Sequence, residues 1–249
     1  MTSAARRPRR AARGSAPGSA RPAPLAGASI GTAHALPDGA DALTVPSSVV
    51  YIETDIGCMF SGALISSNWV LTVARCLAYG PGYSVDRGDG ESVRGDQQHW
   101  APAGDMALLH LASPLDGAKI WGGLGDGYIP VAAGTDQPPG AGDTVYAMGY
   151  GSDGLDVAVE KIASYGPDGS YGMTGSMPSH GGASFVGDSG WPVFRAQGTD
   201  GLVLIGLVSG GTIWAEGDRS TWFAGGPTVW GVESTGTTNR DWIQDVTGI

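Results

Sequence analysis

Apolar runs in this chain are short and repeatedly interrupted. The longest, Leu202 to Val208, is seven residues with a glycine inside it. Glycine (43) and proline (16) recur throughout without a three-residue period, which excludes a collagen-like chain and leaves turns as their use. A run of this length falls far short of the ~18 apolar residues that cross a bilayer as a helix. It does match strands of about four to eight residues bounded by turn formers. The segments are Ser48–Glu53, Phe60–Ile65, Trp69–Ala74, Met106–Leu111, Thr144–Gly149, Val157–Ala163, Leu202–Ser209 and Thr228–Glu233. Each is rich in Val, Ile, Leu, Tyr or Trp and flanked by Gly, Pro, Asp or Ser. Such a pattern predicts an all-β chain of antiparallel strands in a sandwich or barrel. One helix signal stands near the end, where Thr238 can cap the segment 239–244 with Asp241 as its reciprocal partner.

At 249 residues the chain can bury a sizeable core, and two cysteines cannot supply a dense disulfide framework instead. Its charge is unevenly placed. Residues 1–27 hold six arginines and no acid, so subtracting +6 from the net −10 leaves −16 for residues 28–249. The 1–27 segment, with eight alanines and four prolines, has too little apolar content to fold and reads as a disordered basic leader. No apolar stretch of ~7 to 15 residues follows the arginines, so no signal peptide is recognisable. The acidic body argues against nucleic-acid binding, which needs a basic surface.

Three segments resemble the trypsin-like (chymotrypsin-fold, peptidase family S1) serine proteases. They are Ser61-Gly-Ala-Leu-Ile-Ser-Ser-Asn-Trp-Val-Leu-Thr-Val-Ala-Arg75-Cys76, Asp105-Met-Ala-Leu-Leu-His-Leu111 and Gly187-Asp-Ser-Gly-Trp-Pro192, in the family's order. Gly149-Tyr-Gly151, Leu207-Val-Ser-Gly-Gly211 and the terminal Trp242-Ile243 support the match. The resemblance implies two packed six-stranded antiparallel Greek-key barrels, at about 28–125 and 126–249, with a short C-terminal helix. It further implies a secreted, monomeric protein acting on peptides or proteins, with no cofactor, no metal and no membrane.

By the same resemblance, Ser189 is the nucleophile and Asp105 the carboxylate that orients a base. The backbone N–H groups of Gly187 and Ser189 face the oxyanion, and Ala183, Ser209, Gly211 and Thr228 line the substrate pocket. Ala183 and Thr228 suit small apolar side chains. Where the family has its histidine this chain has Arg75, and a guanidinium, with a pKa near 12.5 or above, is neutral in only about one molecule in 10⁶ at pH 7. It cannot take the serine proton, but its planar donors match the Asp105 carboxylate. The expectation is a protease homologue of weak or no activity. The alternative is an active serine endopeptidase with a relocated base, for which His99 and His180 are the candidates among His34, His99, His110 and His180. A third reading is a decaying enzyme.

Other positions depart from the pattern. Trp191 replaces a glycine, which predicts strain or a shifted nucleophile loop, and Gly210 replaces an aromatic shelf. Ile30-Gly31-Thr32 is the one candidate for a new N-terminus that could reach Asp188, and Ser29 before it is not a basic cleavage site. Cys58 lies two residues upstream of the family's position, so a Cys58–Cys76 disulfide needs a β-bulge; two free thiols are the other outcome. Asp86-Arg-Gly-Asp-Gly-Glu91 lies where some relatives hold calcium, but Asp89-Gly90 also spells a hairpin turn.

Overall fold

A computed structural model describes residues 48–80, 82–88, 90–116, 127–151, 154–166, 173–178, 189–197, 201–213, 222–232 and 236–249. The first half is a closed barrel built from β1 (Val49–Thr54), β2 (Met59–Ser66), β3 (Trp69–Thr72), β4 (Tyr83–Asp86), β5 (Ser92–Trp100) and β6 (Ala107–Leu111). The order around it is β1-β2-β3-β6-β5-β4, with β4 pairing back onto β1, so the ring has no free edge. Val70, Leu71, Leu108, Leu109 and Leu111 are fully buried within it. Each such side chain contributes about 1.5–3 kcal/mol relative to exposure. A four-residue helix, α1 (Ala74–Leu77), follows β3 and carries Arg75 and Cys76.

The second half is a seven-stranded sheet of β7 (Thr144–Gly151), β8 (Gly154–Gly166), β9 (Met173–Pro178), β10 (Pro192–Gln197), β11 (Gly201–Leu207), β12 (Gly210–Ile213) and β13 (Trp222–Pro227). Its order is β11-β10-β7-β8-β9-β13-β12. The two outermost strands are joined by Val208 and Ser209 alone, so the ends of the sheet are brought together and it must curl. Gly206 also bridges Thr228 just beyond β13. Counted as one bent strand, β11 and β12 reduce the seven to the expected six.

The expected strand from Thr228 is not one over its described residues 228–232: Thr228 and Val232 make isolated bridges, to Gly206 and Thr238, with a turn at Val229 and Trp230 between them. Likewise Val73 and Ala74 leave β3 to start α1. The helix α2 (Asn239–Thr247) begins with the expected capping box, Thr238 and Asp241 each satisfying the other's backbone N–H. Asn239, fully buried, donates through Nδ2 to the carbonyls of Ala103 and Thr228 at 2.9 Å each, and its Oδ1 accepts from Ala103 N. This amide clamps the loop that precedes Asp105 to the second half. Among the described residues no helix is long and apolar enough to cross a membrane.

Candidate active site

The site forms where the end of β3, the start of β6 and the turn before β10 meet. Asp105 lies two residues before β6, its side chain 10% exposed. Its Oδ1 accepts from the backbone N–H of Arg75 at 2.6 Å and its Oδ2 from the Ser209 hydroxyl at 2.7 Å. Arg75 reaches across the junction: Nη1 donates to Ser209 Oγ at 2.8 Å and Nη2 to Ser189 Oγ at 2.7 Å. Nη1 also lies 3.4 Å from Asp105 Oδ2, a loose ion pair beside two tighter hydrogen bonds. The four side chains form one chain of contacts, Asp105 to Ser209 to Arg75 to Ser189.

Ser189 is positioned from the first barrel. Its carbonyl accepts from Ser61 N at 2.9 Å, and Ser61 in turn accepts Thr72 Oγ1 on its carbonyl and Tyr150 N on its hydroxyl. Gly190 has φ +84°, and a Cβ there would lie 2.0 Å from the Ser61 carbonyl oxygen. That position therefore requires glycine both for its backbone angle and for the close approach of the two halves. Ser61 carries no sequence signal of this role, because a serine in a strand is usually a surface residue.

Trp191 does not produce the anticipated conflict. Its ring is 3% exposed and lies over Gly149, where a Cβ would come within 2.0 Å of it. The indole occupies the space that the absent side chain leaves, and Nε1 faces the Tyr150 carbonyl at 3.4 Å. The Gly-Tyr-Gly run is thus what accommodates the bulky residue two positions after Ser189.

Cys58 and Cys76 are free thiols, the first exposed and the second buried. The bulge that a bridge needed is missing: β1 and β2 pair in unbroken register from Val49↔Ala63 to Glu53↔Met59, and Cys58 stays outside β2, its N–H bonded to Thr54 Oγ1. Cys76 instead points into the site, within hydrogen-bonding reach of Ser189 and Arg75. Burial pushes its thiol pKa up, and Asp105 adds to that push against the Arg75 charge.

Two of the four histidines are described, and both pack on Trp69, with ring centroids 5.4 Å away for His99 and 4.8 Å for His110. His110 Nδ1 also shares a hydrogen with Asp96 at 2.6 Å. Neither is a partner of Ser189, whose hydroxyl is held by the guanidinium. His34, His180, Ala183, Gly187, Asp188 and Ile30 lie outside the described residues. Of the residues that the resemblance assigns to a pocket, Ser209 and Thr228 are 1% exposed, and Gly211 pairs with Ala224 in the sheet. Ser209 bridges Asp105 and Arg75.

The segment from Asp86 to Glu91 connects β4 to β5 as a hairpin, with Asp86 paired to Ser92. Arg87 is buried inside it and donates to Glu91 and to the Asp116 carbonyl.

The model of the family described as Trypsin matches residues 44–226. Among solved structures, kallikrein-related peptidase 10 is similar with a TM-score of 0.57 at 19% identity, over 82% of this chain and 96% of that one. Rv3671c from M. tuberculosis H37Rv, in the inactive form of a mutant, is similar with a TM-score of 0.51 at 23% identity, over 72% and 80%. Identities this low establish a shared fold and nothing finer. No curated protein sequence matches. The family model covers well over half of the chain and coincides with the closed barrel and the curled sheet, so this protein belongs to the trypsin family.

Proposed function

We propose that this protein is a trypsin-family member whose peptidase site is disarmed, and that it binds peptides or proteins without cleaving them. The observation that carries the reading is the 2.7 Å hydrogen bond from Arg75 Nη2 to Ser189 Oγ. A serine attacks only as it passes its proton to a neighbouring base, and the group that faces Ser189 is a cation with no acceptor atom. Arg75 stands where the family's histidine would, with Asp105 and Ser209 arranged as orienting partners for it. Loss of the base in a comparable triad costs on the order of 10⁶ in kcat, about 8 kcal/mol of barrier. Binding and the oxyanion donors, which the family places at Gly187 and Ser189, retain about 10³ to 10⁴ over water, too little for useful proteolysis.

A fluorophosphonate probe tests this directly. Wild-type Ser189 is expected to label orders of magnitude more slowly than the serine of an active protease; labelling at a comparable rate would refute the disarmed reading. Arg75→His is expected to raise labelling and the hydrolysis of peptides with small apolar residues before the scissile bond. If that variant prefers Lys or Arg substrates, the assignment of Ala183 and Thr228 to a shallow uncharged pocket is wrong.

A further inference from the structure

β12 ends the sheet order, and β13 is its one hydrogen-bonded strand neighbour among the described residues. On the other side of β12 no strand pairs with it among the described residues, and its backbone N–H and C=O groups there can take an extended peptide as a further strand. β12 runs from Gly210 to Ile213, so a peptide laid antiparallel along it brings its own C-terminal end to Gly210. Gly210 borders the guanidinium: a Cβ there would lie 3.5 Å from Arg75 Nη1.

Arg75 has donor capacity and charge left on that side. Asp105 is satisfied chiefly by the Arg75 backbone N–H and the Ser209 hydroxyl, and it meets the guanidinium only through Nη1, at 3.4 Å. Nη2 carries two N–H groups and is bonded to Ser189 Oγ, and the one other group within the guanidinium's reach on the described residues beyond Asp105 and Ser209 is the Cys76 thiol, a weak acceptor. The side chain is 35% exposed. Ser189 accepts that bond, and its own proton faces no imidazole but only the weak thiol acceptor of Cys76, from which a carboxylate would draw it. Nη2 and the Ser189 hydroxyl are therefore adjacent donors at the point where a β12-bound strand would end.

We propose that Arg75 and Ser189 form a carboxylate-binding site, and that the protein holds extended peptides by their free C-terminus. The proposal rests on the non-hydrolytic reading above and makes it specific. A terminal carboxylate accepts charge-assisted bonds from both donors, whereas an internal peptide carbonyl or a terminal amide offers a neutral oxygen. The acidic body, −16 over residues 28–249, disfavours loose anions. Strand pairing supplies the remainder of the binding, so the ligand is a peptide end and not a simple salt.

The test uses the full chain, immobilised, and a mixture of N-acetylated hexapeptides varied at the last three positions. The mixture is made once as free acids, once as C-terminal amides and once as amides ending in Glu, with mass spectrometry as the readout. Free acids should be retained about tenfold better than amides, and less so as salt is raised. In Arg75→Gln the acid preference should vanish, with free acids and amides retained equally. Equal retention of acids and amides without cleavage, or a preference that survives Arg75→Gln, overturns the carboxylate site alone. Retention of the Glu-ended amides equal to the free acids overturns the terminal specificity. Cleavage of the amides is a different failure, since it refutes the non-hydrolytic reading on which the proposal stands.

Discussion

Arg75 and Arg87 both bring a guanidinium to the border of the closed barrel, yet their side chains are 35% and 1% exposed. Arg87 is enclosed in the β4–β5 connection, where Glu91 and the Asp116 carbonyl accept from it. Its own carbonyl accepts from Tyr150 OH at 2.8 Å, which ties the loop to the second half. Arg75 lies in the cleft, bonded to two hydroxyls and only loosely to a carboxylate. An arginine enclosed and bonded through both Nη atoms to a carbonyl and a carboxylate acts as an internal tie. One fixed by neutral groups, with an open edge, remains a cation that can meet a ligand.

The contrast predicts unequal costs of removal. Arg87→Met should lower stability by about 2 kcal/mol, because it strands a backbone carbonyl and leaves Glu91 to rehydrate. Denaturant unfolding measures this, and a cost no greater than that of the Arg75 variant erases the distinction. Next in size is thiol reactivity. Iodoacetamide should modify exposed Cys58 about tenfold faster than Cys76, whose raised pKa keeps it protonated as pH rises past the usual thiol range. Since the Arg75 charge favours the Cys76 thiolate, Arg75→Gln should slow Cys76 further and leave Cys58 unchanged; faster Cys76 modification in that variant would place the guanidinium elsewhere. Tyr150→Phe removes one hydrogen bond to the Arg87 carbonyl and should lower stability by about 1 kcal/mol, with no change in peptide retention. The smallest effect is expected for Arg75→Gln itself, under about 1 kcal/mol in the same unfolding assay, because Asp105 keeps its bonds to the backbone N–H and to Ser209.

The parts of the fold that sequence revealed are those where burial forces a pattern. The runs that became β1, β2, β3, β6, β7, β8 and β11 are rich in Val, Ile, Leu, Tyr or Trp, and turn residues mark their ends. β5 escaped notice because Ser92–Trp100 is polar and largely exposed, held by backbone pairing to β4 and β6 and not by its side chains. β12 and β13 were obscured by glycine, and the 228–233 segment looked like a strand although Thr228 and Val232 make only isolated bridges, to Gly206 and Thr238. The capping box of α2 was readable because every atom in it lies within four consecutive residues.

The site shows the same division. Its residue types could be read in one dimension: Asp105 before an apolar strand, Ser189 between glycines, and a cation at position 75 that no neighbour can turn into a base. Which atoms meet was decided by the packing of the two halves. Long-range contact alone set the Arg75 reach to Ser189 across 114 residues, the Ser209 link to Asp105 across 104 and the Ser61 hold on the Ser189 turn. The unbroken β1–β2 register kept Cys58 apart from Cys76, and the space over Gly149 admitted Trp191. Composition and local order determine what a segment can bury and which protons a side chain can carry, since both follow from residue chemistry. Distances and shared hydrogen bonds depend on segments far apart in the chain, so only the folded structure supplies them.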